Sequence, residues 1–169
     1  MPNLDTGAHH LHYEIIDQTA PWIEAPETIL FHHGVGANWR CWRGWMPALL
    51  DRYRLVAFDL PGHGRSQPGD GDIPIAAMVD DAIALADEVD CAKFHLVGES
   101  VGGTVALQTA IEHPGRLLSL TVSNGAHMGG DIQNLDFWHE LIEGEGMGAW
   151  SDRMMDHRFF DGALPAPVW

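Results

Sequence analysis

A mostly parallel sheet with helices on its faces, an α/β architecture, is the fold class the sequence predicts for residues 11 to 122. Three observations predict it. Short apolar runs alternate with stretches of helical periodicity. Glycine, proline or aspartate punctuates the junctions between them. The chain, at 169 residues, is long enough for one sizeable core and the start of a second lobe, but short for two full domains.

Five strands are expected. LHYEII (11 to 16) should pair with TILFH (28 to 32) through a loop containing Pro21 and Pro26, and RLVAFD (54 to 59), FHLVG (94 to 98) and LLSLTVS (117 to 123) follow. Their lengths and apolar content suit strands buried in a parallel sheet. Helical patterns are expected at 39 to 51 and at 75 to 90. In the second of these, Ile75, Met78, Val79, Ala82, Ile83, Ala86 and Val89 recur at spacings of three and four, which buries one face. A third helix should run through VGGTVALQTAIEH and end at Pro114, which has no N–H with which to continue it. After Asn124 the chain turns rich in Gly, Met and Trp, with helical pieces around 134 to 143 and 147 to 160. The expected division is therefore a core over 1 to 127 and the beginning of a helical lid over 128 to 169.

Nine Lys and Arg against twenty-four Asp and Glu give a net charge of −15, which repels nucleic acid and anionic membrane surfaces alike. Cys41 and Cys91 lack CxxC spacing, so reduced thiols are expected, with a disulfide between them as the alternative. No charged-then-apolar leader or membrane-length apolar run is visible, and the expected location is the cytoplasm.

The chemistry is carried by three stretches. In LVGESVGGT (96 to 104), Ser100 stands between Gly98 and Gly102 where an apolar strand gives way to a helix. A serine presented on a sharp strand-to-helix turn needs small residues two before and two after it, so that strand and helix can approach closely. In LFHHGVGANW, the turn after TILFH offers the Val35 N–H as one donor for an oxyanion, and the N–H of Val101, at the start of the helix after Ser100, offers the second. In DLPGHGRS (59 to 66), Pro61-Gly62 fits a type II turn, and Asp59 and His63 read as scaffold rather than catalyst.

Taken in order, HHGVG, DLPGHGRS and GESVGG resemble the α/β-hydrolase family, in particular its serine-hydrolase branch of enol-lactonase-like esterases and related carbon–carbon bond hydrolases. The resemblance implies a hydrolase with Ser100 as nucleophile, Val35 and Val101 as oxyanion donors, no cofactor and no metal, acting on a small or medium carboxylic ester or lactone. Carbon–carbon bond hydrolysis, or ligand binding on a broken hydrolase scaffold, are the alternatives. In the family the triad acid and histidine follow the lid, so the resemblance also implies a chain truncated before them and nearly inactive alone. A variant places the acid after the sixth strand, where this chain has Asn124. His127 is the best internal candidate for a base but reads as a rim residue, and Trp39 and Trp138 are candidate pocket residues, with Phe137, Leu141, Trp150, Met154, Met155 and Phe159 as further apolar lid positions. His32 and His33 should hold loop geometry, and the HHLH stretch at 9 to 12 should be solvated. The exposed edge of LLSLTVS invites self-association.

Overall fold

The computed structural model describes residues 2–69, 71–127 and 135–158, the last four of these by backbone alone. Its elements run β1 (Asn3–Asp5), β2 (His10–Ile16), β3 (Thr28–His32), two short 3₁₀ helices (Trp39–Gly44 and Met46–Ala48), β4 (Arg54–Phe58), α1 (Ile75–Glu88), β5 (Phe94–Glu99), α2 (Val101–Glu112), a 3₁₀ turn (Pro114–Arg116), β6 (Leu117–Ser123) and α3 (Leu135–Arg158). The chain divides into two compact units, Met1–Met128 and Gly129–Trp169.

In the first unit six strands form one sheet in the order β1-β2-β4-β3-β5-β6. β4, β3, β5 and β6 are parallel, and β2 runs antiparallel to both β1 and β4. This corrects the expected pairing of the 11 to 16 run with TILFH: Tyr13 lies opposite Phe58 and Ile16 opposite Leu55, both on β4. All five residues of β3 are buried. A strand without polar alternation has both faces and both edges covered, so β3 takes the centre between β4 and β5 and β2 is left outside β4. β1, three residues long, was too short to carry a periodic signal.

Side chains alternate across the sheet. Leu30, Val56, Phe58 and Leu96 point to one face and pack with Val79, Ala82 and Leu85 of α1 and Ala106 of α2. Ile29, Phe31, Leu55 and Ala57 point to the other, under Trp42 and Met46. The expected helix at 39 to 51 is instead two 3₁₀ pieces, with Asn38 Oδ1 accepting the Arg40 N–H (3.0 Å) at the start and Pro47 in the second. Trp42 is buried against the Phe31 ring (5.1 Å between centroids), while Trp45 is 58% exposed, so the tryptophans do not share one buried face.

In the second unit, non-helical Gly146 (φ 86°, ψ 173°) divides α3 into two helical pieces. Trp138 stacks edge-on with Phe137 and Trp150, and Trp150 is the buried member. Phe159 and the Met155 side chain lie outside the described residues.

Two glycines set how closely α2 approaches the sheet. A Cβ at Gly98 would run into the Gly102 carbonyl and stand 2.8 Å from the Gly103 nitrogen. One at Gly102 would run into the His32 carbonyl and stand 2.7 Å from that of His33. The obstacles are backbone, which has little freedom to give way. Gly102→Ala is therefore expected to lower unfolding free energy by about 2–3 kcal/mol, read from urea denaturation at unchanged m. Gly115→Ala, whose Cβ would meet nothing within 4 Å, should stay within about 0.5 kcal/mol of wild type.

Candidate active site

Ser100 joins β5 to α2 at φ 55°, ψ −121°, a conformation an L-residue adopts at a cost of about 1–3 kcal/mol and keeps when its surroundings dictate it. Its backbone is pinned on both sides: its N–H donates to Ser123 O of β6 (2.9 Å), and its carbonyl accepts the Thr104 N–H (3.1 Å), the first bond of α2. A serine at a helix N-cap ordinarily turns its hydroxyl onto the helix's free amides. Ser100 makes no such bond, and its side chain is half-buried rather than sealed in the core.

Val101 opens α2 and has no carbonyl one turn back within the helix to receive its N–H, at the end where the helix dipole is positive. Gly34, in the turn after β3, comes against the serine from the other side: a Cβ there would stand 2.7 Å from Ser100 Cβ and run into the Glu99 carboxylate. The structure thus brings Ser100, Val101 and the turn carrying Val35 to one point.

That turn is held by imidazoles. His33 is buried; its Nε2 accepts the Leu60 N–H (2.9 Å), which leaves Nδ1–H to donate to Gly34 O (2.7 Å). A peptide group is planar and trans, so fixing the Gly34 oxygen also fixes the direction of the Val35 N–H. Burial holds His33 down at about 4, from 6.5, and the imidazole is neutral as this pair of bonds requires. His32, wholly buried and edge-on to Phe58, donates Nδ1–H to His33 O (3.1 Å), and burial lowers it to about 3. His63 joins the next loop: Nε2 accepts the Gly36 N–H (3.1 Å) and Nδ1–H donates to Pro61 O (3.0 Å).

Pro61-Gly62 forms the type II turn, with Gly62 at φ +72° and the His63 N–H bonded to Leu60 O (2.9 Å). Buried Asp59 accepts the Trp39 N–H (2.8 Å) and the Arg65 N–H (2.9 Å) on its two carboxylate oxygens. Asp59 and His63 are braces of the loops around Ser100.

Each of the other sequence candidates has its own surroundings. Trp39 packs on the Phe31 face of the core, with Arg40 over its ring. His127 is exposed, one residue beyond Ala126, whose backbone brackets the Thr104 hydroxyl. Trp138 belongs to the second unit. Asn124 follows β6 at φ 55°. Among the described residues, no histidine or carboxylate hydrogen-bonds the Ser100 hydroxyl. Both cysteines are free; burial first, then Glu99, pushes Cys41 up to about 12, far from a reactive thiolate.

The HHLH stretch is not solvated as expected. His9 is buried with Nδ1 2.7 Å from Asp81 Oδ2, and Thr6 donates its hydroxyl to Asp81 Oδ1 (2.8 Å). Buried His12 meets Glu14 at 3.1 Å, and only His10 is exposed. Among the described residues, no cluster of three or more His, Cys, Asp or Glu could hold a metal, and no helix is long and apolar enough to cross a membrane. Sequence reasoning missed Glu99 as a neighbour of Gly34; the alternation along β5, which puts 97 and 99 on one face, was its available signal.

The chain is similar to known proteins. The chain is 38% identical over 119 residues to a putative carbamate hydrolase, RutD, of Caulobacter vibrioides, covering 68% of this chain and 42% of that protein. It is 40% identical over 98 residues to a pimeloyl-acyl-carrier-protein methyl ester esterase of Aeromonas hydrophila, covering 57% and 37%. The chain thus spans less than half the length of these relatives. The enol-lactonase of Burkholderia xenovorans superposes with a TM-score of 0.82 over 91% of this chain and 58% of that one, at 24% identity, a likeness of fold. The profile described as alpha/beta hydrolase fold matches residues 27–163. With that match over most of its length, the chain belongs to the alpha/beta hydrolase fold family.

Proposed function

We propose that the protein is a serine hydrolase of a small or medium carboxylic ester or lactone, with Ser100 as nucleophile and the Val35 and Val101 N–H groups as the oxyanion hole. The observation that carries this reading is Ser100 at positive φ, between two glycines that admit no Cβ, with the Gly34 turn against it. Ser100 Oγ attacks the carbonyl carbon and gives up its proton to a general base; the carbonyl oxygen takes the negative charge, which the two amides stabilise. Collapse expels the alcohol, protonated by the same base, and leaves an acyl group on Ser100 that water then releases. The resemblance to the family implies a histidine as that base. The names of the relatives support the substrate class, because a carbamate hydrolase, a methyl ester esterase and an enol-lactonase all act on a carbonyl bearing a heteroatom leaving group.

A net charge of −15 argues against a nucleic-acid partner and suits a small-molecule substrate; the cytoplasmic location is proposed on the absence of CxxC spacing between Cys41 and Cys91. The β6 edge, where Leu118 and Val122 are exposed, supports self-association.

A fluorophosphonate is expected to label the full-length protein at Ser100, identified by peptide mass, and not to label its Ser100→Ala variant; an unlabelled full-length protein would overturn the reading. His33→Gln, which loosens the Gly34–Val35 peptide, should slow labelling about tenfold or more, short of the 10²–10³ lost with a whole oxyanion donor. Stability carries a second signature. His33 stays neutral in the fold down to about 4, whereas in the unfolded chain it takes up a proton below 6.5. Unfolding free energy therefore holds above that value and falls as pH drops from 6.5 toward about 4. His33→Gln should flatten that fall in urea titrations, and His32 should retain a share of it.

A further inference from the structure

Glu99, the residue before Ser100, ends β5 half-buried and on the same face as Val97. The turn after β3 locates its carboxylate. A Cβ on Gly34 would run into Glu99 Oε2 and stand 2.7 Å from Ser100 Cβ, so the acid and the serine crowd one point from two sides. The charge is felt nearby: burial first, then Glu99, holds the Cys41 thiol up at about 12, and that side chain stays protonated and uncharged. Asp59, a second acid in the loops around Ser100, has both carboxylate oxygens bonded to amides, those of Trp39 and Arg65. Among the described residues, no amide, hydroxyl or cationic side chain is bonded to the Glu99 carboxylate.

We propose that Glu99 sets the charge preference of the site: it disfavours substrates with an anionic group close to the scissile carbonyl and favours neutral or cationic ones of the same shape. The proposal rests on Ser100 being the nucleophile, because the acid is placed relative to that side chain. A carbonyl carbon under attack is bonded to Ser100 Oγ, one bond beyond Cβ, so groups close to that carbon lie near the carboxylate as well. Two like charges that near each other repel across less than a Debye length of about 8–10 Å, and salt screens them only in part. The charge developing on the carbonyl oxygen meets the same field with every substrate, so it cancels from a comparison. A charge that the substrate itself carries does not cancel. The net charge of −15 acts in the same direction, but from positions spread over the chain, and one neutral substitution at Glu99 separates the local effect from it.

The test measures rates of Ser100 labelling by three fluorophosphonates of equal, short alkyl length that end in methyl, carboxylate or trimethylammonium. It uses the full-length protein and its Glu99→Gln and Glu99→Asp variants. The unsubstituted protein should react more slowly with the carboxylate probe than with the methyl probe, and faster with the trimethylammonium probe, each by about threefold or more. Glu99→Gln keeps the shape and removes the charge, and should bring both ratios toward one. Glu99→Asp keeps the charge and should preserve their order. Each ratio is taken against the neutral probe within one protein, so a variant that is merely less stable slows all three reactions together. Ratios unchanged in Glu99→Gln while the methyl probe labels Ser100, or an unsubstituted protein that reacts fastest with the carboxylate probe, overturn the charge preference and leave the nucleophile standing. A full-length protein that none of the probes labels overturns both.

Discussion

Backbone contact between α2, β5 and β3 is the constraint on which the rest of the site depends. Because neither Gly98 nor Gly102 has room for a Cβ, α2 begins closer to the sheet than any side chain would permit. The chain must then turn from strand to helix within one residue, and Ser100 takes a positive φ to do it. The strain of that conformation, about 1–3 kcal/mol, is small beside the packing of the apolar faces that hold α2 in place. Ser100 is thus left with its backbone bonded on both sides and its hydroxyl unused by the helix it caps.

The same closeness shapes the opposite wall. Gly34 meets Ser100 Cβ and Glu99 directly, so the turn after β3 must hold its peptide planes without side-chain packing of its own at that point. Imidazoles do the holding: buried, neutral His32 fixes the His33 carbonyl and buried, neutral His33 the Gly34 carbonyl, while half-buried His63 fixes the Gly36 amide. A neutral imidazole donates at one nitrogen and accepts at the other, so His33 can bridge Gly34 O and Leu60 N–H at once. Asp59 serves a related end, accepting amides from two different loops. The polar residues around Ser100 therefore spend their hydrogen bonds on backbone geometry.

Much of this was legible in the sequence because it is local. The glycine spacing about Ser100, the Pro61-Gly62 turn and the α1 stripe are each set by residues within a few positions of one another, and each stands in the structure as read. Pairing was not local. The run at 11 to 16 and TILFH are sequence neighbours, but the full burial of β3 sends β2 to the far side of β4. The stretch from 39 to 51 reads as one helix in the sequence, yet Pro47 and the Asn38 cap yield 3₁₀ geometry and leave Trp45 exposed. His9 and Asp81 lie far apart in sequence, and nothing near either one marks it as buried; their pairing within the fold is what makes that burial tolerable.

The most direct measurement is a crystal structure of the phosphonylated protein. The account predicts the adduct on Ser100 Oγ, with the phosphoryl oxygen about 2.7–3.1 Å from both the Val35 and the Val101 nitrogen. A phosphoryl oxygen pointing to solvent, or bonded to neither amide, would contradict it.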